Sequence, residues 1–239
     1  MSAEGSALGA AQLAAVRPLG PDRTVEQHLV RQLRESILKG TLSPGVRLPY
    51  RDLARQFGVS VTPVRVAVRD LAKEGLVELS PHGSARVAPL SVNALEELYA
   101  TRTGIESWLA RLGAERLTDA ELALMETQSS VAERAVAALD EKTYLKSAWA
   151  FRLVCYRAAD RPGLLETAET VFDHSARYNS FTLMTAERLE ESFQSLQAFK
   201  LACDLRDGRL AQQTIQAALE RTFEYLVEHL PELEQPGTA

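Results

Sequence analysis

Residues 53–79 read LARQFGVSVTPVRVAVRDLAKEGLVEL. An apolar pattern at helical spacing runs to Phe57, breaks at Gly58-Val59-Ser60, and resumes with a proline in its first turn. Gly58 can close the earlier helix and Ser60 can cap the later one. Pro63 falls where a missing N–H does no harm. Arg65 and Arg69 stand one turn apart on the second helix. Two short helices joined by a tight turn, the second one basic, form a helix-turn-helix. The second helix suits a DNA major groove with its first residues against base edges, which puts Ser60, Thr62 and Arg65 at contact positions. Its N-terminus adds free N–H groups and a positive dipole end for a phosphate. The plainer reading is a small helical domain with solvated arginines. It does not explain why cap, proline and basic face coincide.

Working outward, RTVEQHLVRQLRESILKG (23–40) places Val25, Leu29, Leu33, Ile37 and Leu38 on one helix face. Thr24 can cap this helix and Gly40 can end it. TLSPGVRLP (41–49) reads as a turn and an extended piece, and YRDLARQFG (50–58) as a short helix. After Gly75, LVELS and ARVAPL are strand-like and flank PHGS, a turn sequence. The order helix, helix, helix, hairpin is that of a winged helix-turn-helix, expected over 21–89.

From Ser91 onward the pattern is almost all helix. Ser91 can cap the first segment, and Thr118-x-x-Glu121 is a capping box. Asp160-Arg161-Pro162-Gly163 interrupts, Thr185 starts another helix, Gly208 reads as a stop, and the last helix runs to Pro231. The expected fold is mainly α: an N-terminal winged helix-turn-helix followed over 90–231 by an all-α antiparallel bundle of about six helices. Residues 1–20 read as a mobile tail and 232–239 as a C-terminal tail.

Charge divides the chain. Over 21–89 there are 11 Lys+Arg and 7 Asp+Glu, a net of +4; from 90 onward 15 and 24, a net of −9. Arg17 and Glu4 cancel, giving −5 for the 239 residues. A basic part joined to an acidic one suggests that only the first meets a polyanion. Cys155 and Cys203 lie inside apolar helical runs and read as reduced core thiols, which fits a cytoplasmic protein. No apolar run reaches the ~18 residues of a membrane span, and residues 1–20 lack the pattern of a signal peptide. The helical part offers no Ser-His-Asp set, Cys–His pair or Gly-rich phosphate loop, so catalytic residues are not expected.

The segment 37–87 resembles the winged-helix domain of the GntR family of bacterial transcription regulators. The residues that carry this are Gly40-x-x-x-Pro44-Gly45, Leu53-Ala54, Gly58-Val59-Ser60, Thr62-Pro63-Val64-Arg65, Leu71, Glu74-Gly75-Leu76 and His82-Gly83. The later helices resemble the FCD effector domain of the FadR-type branch. ELYATRTGIESWLARLGAERL (97–117) matches its opening helix with Arg102 and Glu106 in place, and 151–166 and 205–222 match later helices. The resemblance implies a homodimer that acts as a repressor on a palindromic double-stranded operator. It implies DNA contacts at Arg51, Ser60, Val61, Thr62, Arg65, His82 and Gly83. Relatives often carry arginine where Val61 stands; valine cannot hydrogen-bond a base but can pack on a thymine methyl.

The same resemblance implies a divalent-metal site in the helical domain, but its four ligand positions align with Ala148, Arg152, Ala198 and Ala218. None suits a metal, so no metal or other cofactor is expected. Two readings of Arg152 stand. Its guanidinium could hold a carboxylate, phosphate or acyl thioester effector directly, or it could pair internally or reach out to solvent. Arg102 is a second candidate anchor. Tyr156, Tyr178 and Asn179 are candidate polar groups of an effector pocket, against the plainer reading of the tyrosines as core. If no small molecule binds, the helices serve for dimerisation or dock a protein.

Overall fold

The computed structural model describes residues 25–80, 83–179 and 184–230. Thr24, His82 and both expected tails lie outside the described residues. The described residues form nine helices and two strands, in two compact units.

The first unit runs through Ser91 and takes in 176–179 from later in the chain. It holds α1 (Val25–Leu38), α2 (Tyr50–Phe57), α3 (Val61–Lys73), β1 (Val77–Leu79) and β2 (Ala85–Val87). Leu29, Leu33 and Ile37 share one face of α1 and pack in a single buried cluster with Leu53 and Phe57 of α2. Val64, Val68 and Leu71 of α3, with Val77 and Val87 of the hairpin, complete that cluster. Full burial of such a side chain stabilises by about 1.5–3 kcal/mol relative to exposure, so the core fixes which side of α3 stays outside. The turn between α2 and α3 depends on Gly58, whose φ of 65° is left-handed and whose N–H bonds to Ala54 and Arg55 carbonyls.

The hairpin is antiparallel with Val77 opposite Val87, Glu78 opposite Arg86 and Leu79 opposite Ala85. Its strands are shorter than the sequence pattern suggests. The Ser80 N–H already turns to the Ser84 carbonyl at 2.8 Å, and Gly83 adopts φ 78° at the tip. The extended piece 46–48 lies along β2: Leu48 N–H donates to Ala85 O and Val87 N–H to Val46 O, each at 2.8 Å.

The second unit comprises Val92–Ser175 and the described residues 184–230. Its helices are α4 (Val92–Ala114), α5 (Asp119–Ala137), α6 (Glu141–Ala158), α7 (Pro162–Asn179, ending in the first unit), α8 (Ala186–Asp204) and α9 (Gly208–His229). Caps set the starts. The Thr118–Glu121 capping box opens α5, Asp140 accepts from the Thr143 N–H, and Thr185 accepts from the Arg188 N–H. Gly208 is not a stop, as its residue type suggests, but the first residue of α9. Asp207 caps that helix by accepting from the Leu210 N–H, and the left-handed Arg206 (φ 52°) makes the turn.

Helix α4 packs along both α6 and α9, and two glycines permit the approach. A Cβ on Gly113 would lie 1.9 Å from the Cys155 carbonyl oxygen, and one on Gly208 would lie 2.5 Å from the Arg111 carbonyl oxygen. Among the described residues no helix is long and apolar enough to cross a membrane.

Candidate nucleic-acid interface and interior polar cluster

Burial of Val64, Val68 and Leu71 turns the other side of α3 outward. Thr62, Arg65 and Arg69 occupy that side and are exposed, as are Ser60 and, on α2, Arg51. Ser60 has the extended backbone of an N-cap (φ −74°, ψ 165°), yet its hydroxyl makes no cap hydrogen bond. The first-turn N–H groups and this hydroxyl are therefore available to an acceptor from outside. No hydrogen bond or ion pair joins Arg51, Arg65 or Arg69 to another described residue. Neighbouring charges behave otherwise: Lys73 pairs with Asp70 at 2.8 Å, Arg86 with Glu78 at 2.7 Å and Arg55 with Asp52 at 3.3 Å. The Arg65 guanidinium stands 5.4 Å from the centre of the Tyr50 ring, a cation–π contact that steadies a long side chain.

Val61 departs from its expected role. It is half-buried and packs against the core cluster. It precedes Val64 by three residues, so it shares the buried side of α3 rather than the side of Thr62 and Arg65. Gly83 is exposed at the wing tip.

Within the second unit Arg102, only 3% exposed, is held internally. Its Nε donates to Glu106 Oε1 at 2.6 Å and its Nη1 to Ser175 Oγ at 3.1 Å. Tyr99 and Phe172 present their rings to it at 5.0 and 5.4 Å. Burial works against the Arg102 charge, but the Glu106 carboxylate, its hydrogen bond, and the Tyr99 and Tyr156 phenols together outweigh this and hold the guanidinium charged beyond its ordinary range. The Tyr156 hydroxyl donates to Glu106 Oε2 at 3.0 Å, and burial followed by the Glu106 charge pushes that phenol well up. Arg102 and Tyr156, expected as effector contacts, are thus committed to a closed network centred on Glu106. Tyr178 donates to the Ser91 carbonyl at 3.4 Å and, like Asn179, falls in the first unit rather than with Arg152.

Arg152 is different. It is half-buried on α6, and no hydrogen bond or ion pair joins it to another described residue. Its charge acts on Tyr99, Tyr144 and Tyr156.

Residues 25–87 match the family described as bacterial regulatory proteins, gntR family, and 97–221 match the FCD domain. The chain belongs to the GntR family, in its FCD-bearing branch. It is 29% identical over 140 residues to the HTH-type transcriptional regulator McbR of Escherichia coli, covering 59% of this chain and 63% of McbR. It is 26% identical over 198 residues to the E. coli repressor GlaR, covering 79% and 90%. With the regulator YdhC of Bacillus subtilis it shares 32% identity over 105 residues, 44% of this chain and 47% of that protein. The chain thus spans about half of YdhC and less than two thirds of McbR. Among solved structures, E. coli McbR/YncC superposes with a TM-score of 0.71 over 87% of this chain and 99% of that one, at 22% identity. A GntR regulator from Rhodococcus sp. RHA1 gives 0.68 over 86% and 99%, at 18% identity. Both likenesses show the GntR/FCD fold.

Of the four positions aligned with the usual FCD metal ligands, Ala148 and Ala218 are buried and Arg152 is half-buried, but Ala198 is exposed. Its neighbours Ser195, Leu196 and Phe199 carry the buried side of α8. Ala198 thus lies off the buried side of that helix, since each residue turns a helix by 100°. No group of His, Cys, Asp and Glu able to hold a metal occurs among the described residues.

Three groups carry no signal of their surroundings in the sequence. Tyr50 gave no signal, since its ring meets Arg65 across the turn. Arg188 on α8 looked like an ordinary charged helix residue, yet it is 6% exposed with Nε unpartnered. The Tyr99 hydroxyl is also buried without a partner.

Proposed function

We propose that this chain is a sequence-specific DNA-binding transcription regulator. The observation that carries the reading is the outward side of α3: an uncapped Ser60 hydroxyl, Thr62, and an Arg65 free of any ion pair. Arg51, Ser60, Thr62 and Arg65 contact DNA, with Gly83 and His82 supplying the wing contact. Arg65 has the reach and fork geometry for a guanine or a phosphate, and Arg51 adds a phosphate contact. Two copies related by a two-fold axis would read a palindrome. The names of the relatives GlaR and RspR, both repressors, support repression as the direction. Such a regulator works in the cytoplasm.

The helical domain binds a small acidic metabolite that alters operator affinity. A ligand does this only by binding one arrangement of the dimer better than another. The unpaired, half-buried Arg152 favours this over a bundle that only dimerises or docks a protein. Selection of bound sequences from genomic fragments, followed by gel-shift titration at several salt concentrations, tests the core claim. The expected result is a recovered palindrome bound with steep salt dependence, and Arg65→Ala weakening it at least tenfold. Binding that ignores sequence, or that is unchanged in Arg65→Ala, would remove α3 as the reading element.

A further inference from the structure

We propose that Val66 reads a thymine of the operator by packing its methyl groups on the C5-methyl in the major groove, with Arg69 one turn further along α3 holding a phosphate. The proposal adds two residues to the DNA-binding reading and rests on it.

The valines, alanines and leucine of α3 divide unevenly. Val64, Ala67, Val68 and Leu71 are buried, and Val61 and Ala72 pack against the core cluster. Val66 alone is exposed, at 40%. The fold gains little from a valine there. A β-branched side chain loses rotamer freedom in a helix, and alanine suits an exposed helical position better. A single exposed apolar residue asks for no explanation by itself; the place of this one does. Val66 follows Thr62 by four residues and precedes Arg69 by three, so the three share one face with Arg65 beside them. All four are exposed, on the side that the buried residues of α3 turn outward.

The chemistry of that face matches a duplex. Neither Arg65 nor Arg69 has a hydrogen bond or ion pair with another described residue. The one acid of α3, Asp70, is engaged by Lys73 at 2.8 Å. Two uncompensated guanidinium groups attract a polyanion, and the apolar group between them needs an apolar spot on it. The major groove offers one, the thymine methyl. Val66 lies about 6 Å beyond Thr62 along α3, roughly two base-pair steps, so it meets a base pair that Thr62 does not. Arg69 stands a further turn from the helix N-terminus, past the residues that face base edges, and its long side chain reaches the backbone instead. Val61 does not compete for the same methyl, being half-buried against the core.

The test deletes a methyl group from each side of the contact. Each thymine of the selected operator is replaced in turn by uracil, which lacks the C5-methyl and keeps every hydrogen-bonding group. Gel-shift affinity and Tm are measured for the unaltered chain and for Val66→Ala, Val66→Thr and Arg69→Ala. In the unaltered chain, replacement of one particular thymine per half-site is expected to weaken binding about three- to fivefold, what one buried methyl group contributes. In Val66→Ala that penalty should vanish: the variant binds the thymine operator about three- to fivefold more weakly and no longer distinguishes uracil at that position. Val66→Thr keeps one methyl group and should keep part of the penalty. Thymines met by other residues should respond alike in all these proteins. Tm should stay level in Val66→Ala, which a packing role would not allow. Arg69→Ala should weaken thymine and uracil operators equally and lower the slope of log affinity against log salt by about 0.9. No sensitivity to uracil at any position overturns the proposal, as does a uracil profile unchanged in Val66→Ala, a marked fall in Tm in that variant, or a salt slope unchanged in Arg69→Ala. Any of these with sequence-selective binding intact defeats this assignment alone. Absence of sequence-selective binding in the unaltered chain defeats the regulator reading, and the assignment with it.

Discussion

Arginine does opposite work in the two units. In the first, Arg51, Arg65 and Arg69 stand on exposed helix surface without an ion pair, their charge kept for something outside the chain. In the second, Arg102 is buried and closed into a network with Glu106, Ser175 and two aromatic rings. The residue type is the same; burial and the availability of a carboxylate decide its role. An exposed guanidinium keeps its hydration and exchanges it cheaply for phosphate. A buried one must find its counter-ion within the fold, because an unpaired interior charge costs several kcal/mol. Arg152 lies between these cases: half-buried like a structural residue, unpaired like a contact residue.

This contrast can be broken or sharpened by substitution. The largest effect is expected at Glu106. Glu106→Ala leaves Arg102 buried and unpaired and should destabilise the second unit by about 3–5 kcal/mol, seen as a large fall in Tm. An unchanged Tm would mean that Arg102 does not depend on its partner. Next comes Arg65→Glu, which should lower operator affinity by about 1–3 kcal/mol or more, tenfold to a hundredfold, with Tm nearly constant. A matching fall in Tm would assign Arg65 to the fold instead. Arg51→Ala should weaken binding to all sequences alike and reduce the slope of log affinity against log salt by about 0.9. A change in sequence preference would instead place Arg51 on a base. The smallest effect is expected at Tyr50. Tyr50→Leu removes a cation–π contact worth about 0.5–1 kcal/mol at an exposed site and should cost two- to fivefold in operator affinity, whereas Tyr50→Phe should cost almost nothing.

The first unit was largely legible in the sequence. Gly58, Ser60 and Pro63 punctuate the chain so sharply that α2 and α3 follow from local chemistry, and the apolar spacing names their buried sides. Val61 was not: the resemblance puts it against DNA, whereas the fold sets it three residues before Val64 on the half-buried side of α3. The second unit was legible as helices, since the Thr118 box and the Thr185 cap are local signals. Gly208 misled because glycine both ends helices and permits close packing, and only the nearness of Arg111 shows which applies.

The sequence by itself determined the family, the order of elements and the outward basic side of α3, because caps, breaks and apolar periods act over a few residues. Tertiary structure alone decided the fate of the interior polar groups. Arg102 was drawn into an ion pair with Glu106 and a hydrogen bond to Ser175, far along the chain, while Arg152 was left without either. A hydrogen-bond partner is a matter of distance in space, and helix packing fixes that distance.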